Sequence, residues 1–93
     1  MYFVVAIDLD IDTTDYKVFE QYKDAKDRYY AAYGRVLNGR STITKTGEKV
    51  LIEAARLYKA EATTPLGARE LVEKGEGELL EDTEAPIDLD LDI

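Results

Sequence analysis

The sequence predicts an α+β fold, a small two-layer sandwich with helices laid on one sheet, and three observations predict it. Residues 2–12, YFVVAIDLDID, open with apolar residues on both faces and pass into strict alternation of apolar and acidic residues, the period of a strand. Residues 16–33 carry their apolar side chains at helical spacing instead. Further along, short strand-like and helix-like stretches follow one another as strand, helix, strand, the order of helices packed on a sheet. A chain of 93 residues is long enough for one domain and no more. At that size a core buries roughly 60–65% of the surface of the unfolded chain, so the domain can fold without cross-links.

Each element has its own reason. In residues 2–12 Phe3, Val5, Ile7, Leu9 and Ile11 point one way and Asp8, Asp10 and Asp12 the other, predicting one long strand. Thr13, Thr14 and Asp15 form a capping cluster ahead of a helix. In that helix Val18, Phe19, Tyr22, Ala25, Tyr29, Ala32 and Tyr33 fall within an arc of about 140°. Six of its residues are Tyr or Phe, and Gly34 is placed to end it in the left-handed conformation. Asn38-Gly39 marks a turn, residues 41–45 a short strand and Thr46-Gly47 the bend of a hairpin.

Residues 48–62 fit two periods. Val50, Leu51, Ala54, Ala55, Leu57, Tyr58 and Ala62 share one helical arc, while Val50, Ile52, Ala54 and Tyr58 alternate as in a strand interrupted by Arg56. The first strand needs partners for its backbone groups. Thr64 and Pro65 then start a new helix at once, leaving a preceding helix no exit. Residues 49–61 are therefore expected as a strand, bent near Ala54-Ala55. A short helix over residues 65–74 ends at Gly75, and residues 77–82 give a brief strand. The whole is a ferredoxin-like order, β-α-β(β)-α-β, with a long aromatic-rich first helix. Residues 1–85 make the domain, and residues 86–93 an acidic alternating tail or edge strand.

The stretch ARLYKAEATTPLGARELVEKGEGELLED, residues 55–82, resembles the strand–helix–strand unit of small, largely uncharacterised phage and prophage α+β proteins. In those a strand ending in a Glu-Ala pair leads to a helix with an Ala and a Val and a Gly-Glu exit. Glu61, Ala62, Ala68, Val72, Gly75 and Glu76 stand at the corresponding places. The resemblance implies a strand at 56–61 and carries no activity with it.

The net charge of -8 is regional. Residues 1–15 hold four acids and no base, residues 16–69 eleven bases and six acids, and residues 70–93 ten acids and one lysine. The chain has no histidine and no cysteine, which removes the commonest general base, disulfides, thiolate catalysis and Cys-ligated zinc. Ser41 is the one serine and has no histidine to activate it. There is no Gly-rich phosphate loop and no nucleophile elbow. The chain is not expected to be an enzyme, and no cofactor is expected. The apolar run at the start is too short to span a membrane and is wrongly flanked for a signal peptide, so a cytoplasmic protein is expected.

Three groups of residues could bind something. Asp8, Asp10 and Asp12 and the tail residues Asp88, Asp90 and Asp92 form two ladders, with successive carboxylates about 7 Å apart if extended. Paired, they would oppose like charges unless a hard divalent cation bridged them. An EF-hand count from Asp8 fails, because Thr13 stands where Gly is needed and Phe19 where a bidentate Glu is needed. The plainer use of such residues is to keep strand edges soluble. Arg35, Arg40, Lys45 and Lys49 form a basic loop region that could hold phosphates, yet the chain's overall charge opposes nucleic-acid binding, which is not expected. The tail could add as a strand to an exposed sheet edge, its own or a second copy's. The leading expectation is a non-enzymatic interaction module that binds another protein or itself. A divalent-metal protein using the Asp ladders, or an acidic phage-type inhibitor mimicking nucleic acid, stands as the alternative.

Overall fold

A computed structural model of the chain describes residues 1–39, 41–43, 47 and 49–83. Its elements are β1 (Tyr2–Leu9), β2 (Thr13–Phe19), α1 (Tyr22–Asn38), β3 (Ser41–Ile43), β4 (Lys49–Ala60), α2 (Pro65–Glu73) and β5 (Glu78–Asp82). All pairings are antiparallel. β2 pairs with β1, β1 with β4, and the far side of β4 is shared by β3 near its start and β5 near its end. The fold is a small α+β fold, but its order is β-β-α-β-β-α-β and not the expected ferredoxin-like β-α-β(β)-α-β.

The difference begins at Leu9. The expected single strand over residues 2–12 stops there, and Asp10, Ile11 and Asp12 turn the chain back, with Asp12 in the left-handed region at φ 60°. Leu9 is paired with Thr13 across this three-residue loop. A left-handed last residue is the usual closure of such a hairpin, and Asp tolerates it better than a branched residue would. Residues 13–19, rich in Thr, Tyr, Val and Phe, suit a pleated surface and form β2 where the helix start was expected. The helix therefore runs from Tyr22 to Asn38, not over residues 16–33, and passes through Gly34. One glycine costs a helix only about 1 kcal/mol. Gly39, at φ 63°, ends it, with its N–H reaching the Val36 carbonyl at 3.4 Å.

The strand expected at 49–61 is β4, and the hairpin with residues 41–43 is present. Its uneven alternation has a structural cause. Asp8 faces Ala54 and Leu9 faces Ile52, so Glu53 is an extra residue with no opposite number on β1. This bulge reverses the phase. Val50 and Ile52 before it share a core with Ala55 and Leu57 after it. Ala54, Arg56, Tyr58 and Ala60 consequently lie on the opposite face.

The sheet is covered on both faces, so the molecule has three layers, not the two expected. On one face α1 presses Ala25, Tyr29 and Ala32 onto Val5, Ile7, Leu9, Val50, Ile52, Ala55 and Leu57. On the other, α2 presses Ala68 and Val72 onto Val4 and Ala60. Adjacent strand residues point to opposite faces, so β1 must be apolar on both. Val4, Val5, Ala6 and Ile7 are at most 1% exposed. Thr64 Oγ1 accepts from the Gly67 N–H at 3.0 Å, Pro65 begins the helix and Gly75, at φ 80°, follows its end. These are the signals the sequence showed for α2.

Candidate functional site

The nine-residue α2 covers only part of its face. Beyond it, β1, β2 and β4 bring Asp8, Thr14 and Arg56 side by side. Asp8 is opposite Thr14 on one neighbour and Ala54 on the other, and Arg56 is one alternate position along from Ala54. Arg56 Nη1 donates to Asp8 Oδ2 at 2.8 Å and Nη2 to Oδ1 at 2.9 Å, a two-pronged ion pair. Thr14 Oγ1 donates to Asp8 Oδ1 at 2.8 Å. The side chains of Arg56 and Asp8 are 21% and 26% exposed. The buried Arg56 Nε has no hydrogen-bond partner among the described residues.

Partial burial raises the Asp8 pKa, but hydrogen bonds from Arg56 and Thr14 and the Arg56 charge outweigh it and hold the carboxyl below its ordinary value. The hydrogen bonds to Asp8, with its charge, raise the Arg56 pKa still further against the effect of burial. Burial pushes Tyr29 up to about 12, with the Glu81 charge adding to it. Burial and the Glu73 charge raise Tyr16 likewise. All four shifts fix the form already present at neutral pH. None brings a group toward the range useful for proton transfer there.

A polar depression of about 300 Å³ adjoins the ion pair, lined by Asp8, Leu9, Asp12, Thr13, Thr14, Glu53 and Arg56. Of the first Asp ladder, Asp8 is therefore committed to Arg56 and Thr14, while Asp10 and Asp12 belong to the hairpin loop, so the expected row of three on one strand face does not form. Asp10 uses its backbone N–H on the Leu51 carbonyl at 3.0 Å. Among the described residues no group of three or more acidic side chains is placed to hold a metal ion. Asp88, Asp90 and Asp92 lie outside the described residues. Of the basic candidates, Arg35 is exposed in the last turn of α1 and Lys49 is exposed at the start of β4, while Arg40 and Lys45 lie outside the described residues.

Reading the sequence missed two things here. Arg56 looked like an interruption of a strand, although a charge among buried neighbours calls for a counter-charge, and Asp8 was the acid nearest the centre of the first strand. The second is β2, which ends the sheet. Among the described residues it pairs only with β1, so its outer backbone groups face outward over seven residues. Asp15 and Lys17 stand on the α1 face of that edge and Thr14, Tyr16 and Val18 on the α2 face. Arg69 of α2 lies over the Tyr16 ring at 5.2 Å and is held to Glu73 at 3.3 Å. No described helix is long and apolar enough to cross a membrane. Comparison with protein families, with curated proteins and with solved structures finds no match to this chain.

Proposed function

We propose that this chain is a non-enzymatic interaction module that takes up an extended protein segment, from another protein or from a second copy, along the outer edge of β2. The single observation that carries it is that edge. Its outer side, which pairs with no strand among the described residues, offers main-chain hydrogen bonds to an extended segment along seven residues, with alternate side chains to choose among segments. The likeness of residues 55–82 to phage-type proteins is part of the same proposal and brings no activity with it.

The test is a titration of the labelled full chain with a panel of synthetic extended peptides, followed by amide shifts. Shifts gathered in residues 13–19 and 2–9 are the expected result. Shifts confined to α1 or to the basic positions Arg35 and Lys49 would sink the reading.

A further inference from the structure

The β2 edge also carries a pattern that says which segment fits it. Two copies of one strand that pair antiparallel about a two-fold axis normal to the sheet must place one residue opposite itself, and every pair must share a face. With the axis at Asp15, two aspartates face each other. With it at Lys17, two lysines do. With it at Tyr16, Asp15 of each copy faces Lys17 of the other, Thr14 faces Val18, and Thr13 faces Phe19. Moving the axis further, to Thr14 or Val18, shortens the ladder. One register of the full-length edge is therefore attractive in charge on both sides of the axis.

On the α2 face, Tyr16 lies beneath one flank of the helix. Leu66, Arg69 and Glu73 stand at i, i+3 and i+7, on one flank of α2. The Arg69–Tyr16 contact shows that this flank overlooks β2. Leu66 is 65% exposed there. In the paired sheet the two α2 helices stand on one face, flank toward flank and antiparallel, with Arg69 of each nearest the axis.

Building on the interaction reading above, we propose that the segment taken up by β2 is the β2 of a second copy, in the Tyr16-centred register, giving one continuous sheet through a symmetric dimer. The alternating charges of Asp15 and Lys17 favour its own copy over other strands.

Charge reversal tests this with the full chain. Sedimentation equilibrium of the wild type should show a dimer that dissociates on dilution. Asp15→Lys and Lys17→Asp should each weaken it by about tenfold or more, since two like-charge pairs replace two opposite ones. An equimolar mixture of the two variants should regain a dimer, and so should Asp15→Lys/Lys17→Asp. Deleting residues 86–93 should leave the truncated chain as dimeric as the wild type. A wild type that stays monomeric to millimolar concentration overturns the proposal, and so does a dimer insensitive to both reversals or lost with the tail. Should a reversal unfold the chain, amide exchange of residues 13–19 in the wild type decides. Protection that rises with concentration supports the dimer, and protection independent of it overturns it. A monomer that still takes peptides on residues 13–19 leaves the general reading standing; a monomer that takes none removes both.

Discussion

Arg56 stands in β4 between Ala55 and Leu57, both fully buried, and its charge has to be answered within reach. Asp8 answers it with two hydrogen bonds and Thr14 completes the carboxylate's shell. Removing Asp8 leaves the guanidinium largely enclosed with no counter-ion. Asp8→Ala is therefore expected to cost about 2 kcal/mol, the range for a charged hydrogen bond, in a urea unfolding titration. The pH dependence follows from the lowered Asp8 pKa. This contribution is fully present above the ordinary carboxylate value of 3.8 and is lost as pH falls through the lower native-state value. Asp8→Asn should thus be less stable than wild type at neutral pH, and the gap should close as both are acidified below that value. A gap that stays constant to low pH would show that the Asp8 charge is not what matters. The same commitment makes Asp8 a poor metal ligand. Millimolar Ca²⁺ or Mg²⁺ is expected to leave its amide shift in place, and a saturating shift there would return the ion-binding alternative.

At the scale of elements, α2 shows how much a cap contributes. Nine residues are below the length at which an isolated helix holds in water, so α2 depends on its ends and on packing. Thr64→Ala removes the acceptor for the Gly67 N–H and should cost about 1 kcal/mol by thermal or urea unfolding, with Thr64→Ser close to wild type. Equal loss in both variants would assign the effect to the Thr64 methyl group. This helix was legible in the sequence because its signals are local: Thr64, Pro65 and Gly75 act within one turn of where they stand. The strand β4 was legible through the demand of β1 for a partner, but its phase was not, since the bulge at Glu53 is visible only in the pairing with β1. The hairpin of β1 and β2 was lost for another reason. Val18 and Phe19 satisfy a helical arc and an edge strand equally well, and the helical pattern that truly begins at Tyr22 extends backward through them by chance of spacing. The site suffered most from this. Asp10 and Asp12 were counted on a strand face they leave at the turn, and Thr14 was read as a cap when it faces Asp8 across the sheet.

For the whole molecule, the two faces of the sheet are unequal. Among the described residues the α1 face holds Tyr29, Ile7 and Leu57 in a cluster of ten buried side chains, while the cluster packed under α2 has four, Val4, Ala60, Ala68 and Val72. β1 and β4 contribute to both, so losing either strand dissolves both cores, but losing α2 dissolves only the smaller. The chain should therefore open in two steps, with α2 lifting off locally while the sheet and α1 remain. Native-state hydrogen exchange reads this directly. Amides of α2 should exchange through an opening of lower free energy than those at the centres of β1 and β4. Val72→Ala, a loss of about 2 kcal/mol of packing, should speed exchange in α2 alone at low denaturant. Leu57→Ala, at about 3 kcal/mol, should lower protection throughout β1, β4 and α1 together, because Leu57 lies in the shared larger core. If Val72→Ala lowers protection of β1 and β4 in step with α2, the helix is part of the global unit, and the unequal division of the core has no consequence for how the molecule opens.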